Sequence, residues 1–245
     1  MDKSNKICKY QLKTSVKATF IYYSILIGIL LIVLVEKIVD KDNNIHFSGV
    51  EISTAIFIFV AALNSFKSTF YFSQGNNVSR KTFIKGNIKY GLIMSAILSV
   101  IDIVLNRVYN IFTICPTNFH TIYGKIIFNQ DNKQWQWAQT SHISSFLQAY
   151  IWYFALYAFL FMLGLSITII YFRLNKLGQV IISIIPVIII VLINELHRYI
   201  PDAVFTFFQD TFQNPYRATM MFIILAILGM IFQYMLIKKA VPDKN

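Results

Sequence analysis

Phe72-Ser-Gln-Gly-Asn-Asn-Val-Ser-Arg-Lys-Thr-Phe-Ile-Lys-Gly-Asn-Ile-Lys89 is a polar, basic interruption between two long apolar segments. Those neighbours set the class of the chain. A helix needs about 20 mostly apolar residues to cross about 30 Å of hydrocarbon. Six segments meet that length, at about 18–39, 50–73, 88–109, 147–172, 179–196 and 218–237. Over 245 residues, 56% are hydrophobic and only 13% charged, which lies far from the composition of a soluble domain. The sequence predicts an all-α integral membrane protein with six spans in a single domain (1–245), without internal repeats.

The formal charge of +11 raises the question of nucleic acid, and its placement answers it. With the N-terminus cytoplasmic, the inner segments hold Lys3, Lys6, Lys9, Lys13, Lys17, Arg80, Lys81, Lys85, Lys89, Arg173, Lys176, Lys238, Lys239 and Lys244. Against these stand only Asp2 and Asp243. This is the positive-inside pattern, with both termini in the cytoplasm, and nucleic acid is unnecessary as a partner. Cys8 and Cys115 then fall on opposite sides of the membrane and cannot pair. The first apolar segment is too long for a signal-peptide core and lacks a small-x-small cleavage site, so it reads as a retained helix.

Ahead of the first span, Lys6, Lys9, Lys13 and Lys17 share one helical face, and Cys8, Leu12 and Val16 share another. This predicts an amphipathic helix over about 4–17 lying on the inner membrane surface, either as a topology anchor or as an elbow touching a cytoplasmic partner. The short external loop Asp40–His46 carries no recognisable chemistry. In the second span, Asn64, Lys67, Ser68 and Tyr71 fall on one face near the inner end, where the Lys67 ammonium could snorkel to the headgroups or face a cavity. In the third, Gly91, Ser95, Ser99, Asp102 and Asn106 form a narrow polar stripe. Such a stripe avoids lipid, serving either helix packing or the wall of a translocation path. Depth counting argues against a Lys67–Asp102 pair.

Residues 110–146 form the longest external segment, with Cys115-Pro116, the apolar Ile126-Ile127-Phe128 and Trp135-Gln-Trp137. Loops of this length are usually functional or folded on their own. His46, His120, His142 and His197 are all predicted outside, at spacings that match no metal site. The fourth span is aromatic in its outer half (Tyr150, Trp152, Tyr153, Phe154, Tyr157), and Pro186 interrupts the fifth, where a kink is expected. Between the fifth and sixth, Pro201 suits a helix start, Phe205, Phe208 and Phe212 align, and Pro215 stops the run. This predicts an outer interfacial or re-entrant helix.

No phosphate-binding Gly-rich loop, His-Glu-x-x-His or Gly-x-Ser-x-Gly elbow occurs, and Glu195-Leu-His197 lacks zinc-protease spacing. No catalytic residue and no metal site are expected. An intramembrane enzyme using Asp102, Glu195 or a histidine is one alternative. A non-transporting immunity or sensor protein that binds a peptide through its outer loop is another.

Within the basic stretch, Asn77 or Ser79 can cap a short helix, Arg80, Lys81 and Lys85 charge it, Phe83 and Ile84 form an apolar knob, and Gly86 can end it. Here the chain resembles the small bacterial ABC-2-type exporter permeases, among them those of amphipathic peptides of the phenol-soluble modulin type. Their phrase Ser-x-Gly-x-Ser-Arg-Lys-x-Phe-x-x-Gly is similar to Ser73-Gln-Gly75-Asn-Asn-Val-Ser79-Arg80-Lys81-Thr-Phe83-Ile-Lys-Gly86, with one extra residue before Ser79. The resemblance implies a coupling helix whose residues Asn77, Ser79, Arg80, Lys81, Thr82, Phe83 and Lys85 dock on a separate ABC ATPase subunit, present in two copies. It further implies a second permease subunit in a homodimer, ATP and Mg bound only by the ATPase, and an amphipathic peptide or lipid-like substrate. The location implied is the bacterial cytoplasmic membrane. Asn64, Lys67, Ser95, Ser99, Asp102 and Asn106 would then line the translocation path or pack the bundle.

Overall fold

The computed structural model describes residues 2–39, 49–112, 115–124, 126–129, 134–137, 142–196 and 202–238. The chain forms nine helices and two short strands among these residues. Five helical stretches are long and apolar enough to cross a membrane: Lys3–Glu36, Val50–Gly75, Arg80–Tyr109, Ile143–Arg173 and Pro215–Ile237. This is the architecture of a multi-pass membrane protein. The expected fifth span corresponds to α7 (Lys176–Leu196), which runs through Pro186, but its described apolar stretch covers only Lys176–Ile185.

Helix α1 (Lys3–Val39) is continuous, so the expected separate surface helix before the first span does not form. The reason is local: no Pro or Gly lies between Lys3 and Tyr23, and nothing else breaks the backbone ladder. The lysine face is as expected, with Lys6, Lys9, Lys13 and Lys17 all exposed. The opposite face differs. Ser4, Ile7, Cys8 and Gln11 are buried, whereas Val16 is exposed.

The second span is two helices, α2 (Val50–Ser65) and α3 (Lys67–Gly75), meeting at Phe66. Helix α4 (Arg80–Tyr109) then rises unbroken through Gly86, which does not end a helix there. Instead Gly86 lets α1 come close, since a Cβ on it would lie 2.8 Å from Ile7 Cβ. Helix α6 (Ile143–Arg173) is central and packs against α2, α4 and α9 (Pro215–Lys238). Its Tyr153, Tyr157, Phe161, Met162, Leu165 and Ile169 are the middle of the core. Helix α7 meets the end of α6, where Tyr171 and Ser183 share a hydroxyl–hydroxyl hydrogen bond.

The long segment after α4 is folded, and not wholly helical. Helix α5 (Asn118–Tyr123) is followed by an antiparallel hairpin of β1 (Ile126–Asn129) and β2 (Gln134–Trp137), with Ile126 opposite Trp137 and Phe128 opposite Trp135. Helix α8 (Asp202–Gln213) is too short to span and folds back on α9, with the Phe212 ring 6.2 Å from that of Phe222. Pro215 begins α9 rather than ending α8, because Asn214 Oδ1 accepts the Tyr216 amide and caps the new helix. The loop Asp40–His46, His197, Pro201 and the side chains of Pro186, Glu195 and Phe205 lie outside the described residues.

Candidate functional site

The basic turn is built by three adjacent backbone choices. Helix α3 ends as the Asn76 amide reaches back to Phe72 and Ser73, and Asn77 takes a left-handed conformation (φ 52°), which Asn tolerates better than most residues. Ser79 then caps α4, its Oγ accepting the Thr82 amide at 3.2 Å. Of the two candidate caps, Ser79 is the one used. Asn77, Ser79, Lys81 and Lys85 are exposed, Arg80 and Thr82 half-buried, and the Lys81 ammonium lies 5.9 Å from the Tyr234 ring centre.

Phe83 and Ile84 are not a protruding knob; both are fully buried. They start the stripe continued by Asn87, Tyr90 and Gly91, which faces the bundle. The Phe83 ring sits edge-on to Phe66 at 5.6 Å and to Phe70 at 5.3 Å, and Phe172 of α6 meets the same two rings at 5.3 and 5.2 Å. The first turn of α4 is thereby packed onto the joint of the second span.

That joint has an identifiable cause. The Thr168 hydroxyl of α6 donates to the Leu63 carbonyl at 2.9 Å, and the Gln11 amide of α1 donates to the Ser65 carbonyl at 3.2 Å. In an unbroken helix these carbonyls would accept from the amides of residues 67 and 69. Foreign side chains inserted into the ladder bend a helix, and here they come from two directions. Beside the joint lies a cavity of about 300 Å³ between α1, α2, α3 and α4. Its lining surface is mostly apolar, with Gln11, Thr14, Ser15, Asn64, Ser68 and Thr69 among its polar members and no charged residue. Gln11 Oε1 is buried there without a hydrogen-bond partner. Of the face expected near the inner end of this span, Asn64 and Ser68 reach the cavity, while Lys67 is exposed and outside it.

The α4 stripe goes elsewhere. Ser95, Ser99, Asp102 and Asn106 are all buried in the bundle, and none of them lines this cavity. Ser95 and Ser99 donate to the carbonyls of Gly91 and Ala96 in their own helix. Asp102 is a hub. Oδ1 accepts from Tyr23 at 2.8 Å and Thr54 at 3.1 Å, and Oδ2 accepts from Tyr157 at 2.5 Å, so α1, α2, α4 and α6 converge on one carboxyl group. Lys67 takes no part. Glu51, also buried, makes no hydrogen bond of normal geometry; the donors facing its carboxyl are the Tyr153 hydroxyl and the backbone amides of Glu51 and Asn118. Asn106 ties α4 to the following loop, donating to the Cys115 carbonyl at 3.0 Å.

That loop closes the end of the bundle opposite the basic turn. Tyr153 accepts the Phe119 amide at 2.9 Å, and His120 shares a 2.6 Å hydrogen bond with the Thr117 hydroxyl. Burial, helped by the nearby Arg107 charge, lowers the pKa of His120. The Cys115 thiol is pushed up to about 12 by burial and, secondarily, by Glu51. Among the described residues, no group of three His, Cys, Asp or Glu could hold a metal ion.

Sequence reasoning missed Gln11, Thr168, Tyr23, Thr54, Tyr157 and Glu51 as partners. Each shows only as a polar residue in an apolar or basic run, and its role depends on a helix far away in the chain. No family model, no curated protein and no solved structure matches this chain.

Proposed function

We propose that the chain is the transmembrane permease subunit of an ATP-driven ABC exporter, working as a dimer with two copies of a separate ATPase subunit. It would sit in the bacterial cytoplasmic membrane with both termini inside and move amphipathic or antimicrobial peptides outward. The observation that carries this reading is the packing of the basic turn onto the joint of the second span. Arg80, Lys81 and Lys85 offer charge to a partner, while Phe83 on the same turn touches Phe66 at the joint. A push on the α3–α4 turn would therefore reach the joint that borders the cavity. Interrupted helices beside a cavity are a recurring device for placing a transport site within a bilayer. The role of Phe83 changes accordingly: it passes force inward instead of inserting into the ATPase.

The cavity suits a peptide in chemistry, since hydroxyls and carboxamides match peptide groups and no charge must be desolvated. The buried stripe Ser95, Ser99, Asp102 and Asn106 acts as helix glue rather than path wall. ATP and Mg belong to the partner, as does the energy of transport.

The test is co-expression with the candidate ATPase subunit in reconstituted membranes. Reversing Arg80, Lys81 and Lys85 to Glu should cut peptide-stimulated ATP hydrolysis at least tenfold while the permease still purifies folded. Normal assembly and export with 77–85 scrambled would sink the proposal. The sensor alternative is separated by replacing 126–137 with a short linker, since Phe119 and His120 belong to the core and a wider deletion would unfold the protein. Retained transport after this replacement speaks against a peptide-sensing outer loop.

A further inference from the structure

A second cavity opens at the basic end of the bundle, between the first turns of α1 and the end of α3. Its volume is about 420 Å³, within the roughly 300–1,000 Å³ usual for small-ligand sites. Its walls differ in kind. Lys3, Lys6, Ile7 and Tyr10 line it from α1 and Phe72 from α3, with the Tyr10 and Phe72 rings stacked at 4.8 Å. Ser73 belongs to the lining and is 1% exposed, yet its Oγ is buried with no hydrogen-bond partner. A buried hydroxyl left unpaired is costly, and a ligand oxygen would satisfy it.

The charge on this cavity is poorly compensated. Lys3 reaches only the Asn77 carbonyl, at a long 3.5 Å, and no acid pairs with Lys6 among the described residues. Asp2, the one acid described at this end of α1, accepts the Ser4 amide at 3.4 Å and does not line the cavity. Two ammonium groups, an unpaired hydroxyl and an apolar wall fit a group with several anionic oxygens attached to something less polar.

We infer that this cavity binds a phosphate-bearing anion, held by Lys3, Lys6 and Ser73, with the headgroup of an anionic phospholipid as one source and free phosphate as the other. The site is independent of the export reading. Lysine recognises phosphate as a point charge, and basic pockets between spanning helices are known positions for anionic headgroups. A lipid headgroup seated here would tie the start of α1 to the α3–α4 turn, two elements otherwise bridged at this point by the Lys3–Asn77 bond.

The experiment uses the full chain in phosphatidylcholine nanodiscs, titrated with phosphatidylglycerol or with inorganic phosphate and followed by native mass spectrometry and thermal unfolding. Wild type should bind phosphatidylglycerol. Lys3→Gln with Lys6→Gln should weaken that binding about 10- to 30-fold, and Ser73→Ala about threefold. Lys9→Gln with Lys13→Gln, on the same helix but outside the cavity, should leave it unchanged. Saturable binding of inorganic phosphate, lost in the same variants, would identify free phosphate as the source. Indifference to phosphate with retained phosphatidylglycerol binding would identify the headgroup. Equal weakening by the Lys9 and Lys13 pair would overturn the inference, because it would reduce the effect to general surface charge. Absence of both kinds of binding in wild type would overturn it too.

Discussion

Asp102 shows how much one side chain can hold. Three hydroxyls, on Tyr23, Thr54 and Tyr157, spend their protons on its two oxygens. Asp102→Ala would leave all three without that acceptor inside an apolar bundle, and should cost about 2–4 kcal/mol, with buried hydroxyls worth less individually in a membrane than in water. Asp102→Asn keeps one acceptor oxygen and should cost less than half as much. Thermal unfolding in detergent checks the order of the two. His120 gives a prediction about pH. Its pKa in the folded chain is lowered by burial and by Arg107, so the neutral ring is the form the fold accommodates. Folding stability from this group is complete above about pH 6.5 and falls as pH drops from there through the lowered folded value. Unfolding temperature should therefore decline between pH 7 and pH 5, and His120→Gln should flatten that slope. The stripe containing Asp102 was legible from spacing alone, because four polar residues on one narrow sector cannot face lipid. Its partners were not, since Tyr23 and Tyr157 lie 79 and 55 residues away in the chain.

At the scale of elements, the divided second span is the least expected result. Residues 50–73 contain no Pro, and their composition reads as a single helix. The division depends on donors from α1 and α6 that take the carbonyls of Ser65 and Leu63. Replacing both, by Gln11→Leu with Thr168→Val, should let the ladder re-form across Phe66. Spin labels on the outer faces of α2 and α3 would then report a straighter pair, and, on the proposed export reading, transport by the reconstituted complex should fall several-fold with expression unchanged. An unchanged label distance would show that packing around Phe66, rather than the two donors, makes the bend. The α4–α6 contact offers a complementary test. A Cβ on Gly91 would lie 2.2 Å from the Phe161 ring, which is fully buried in the core. Gly91→Ala should destabilise the protein by about 1–3 kcal/mol, and Gly91→Ala with Phe161→Leu should recover part of it, as measured by thermal unfolding.

For the whole molecule, the basic turn and the folded loop after α4 lie at opposite ends of the bundle, and the placement of positive charge in the sequence predicts a cytoplasmic position for the first. Asn77→Cys and Ile122→Cys both create exposed thiols in a chain whose own Cys8 and Cys115 are buried. In intact cells an impermeant maleimide should label the Ile122 variant alone, and labelling of both would refute the topology. The sequence by itself determined the membrane class, the lengths of the apolar segments, the lysine face of α1 and the basic turn. Those follow from local quantities, namely hydropathy over about 20 residues and the helical period, which need no knowledge of neighbours. Only the tertiary structure decided that Phe83 faces inward and that the second span is jointed. Each of those depends on which surface meets which. Inside a bilayer, where lipid is as apolar as a side chain, helices choose neighbours by fit and by scarce polar contacts, and hydropathy carries no record of either.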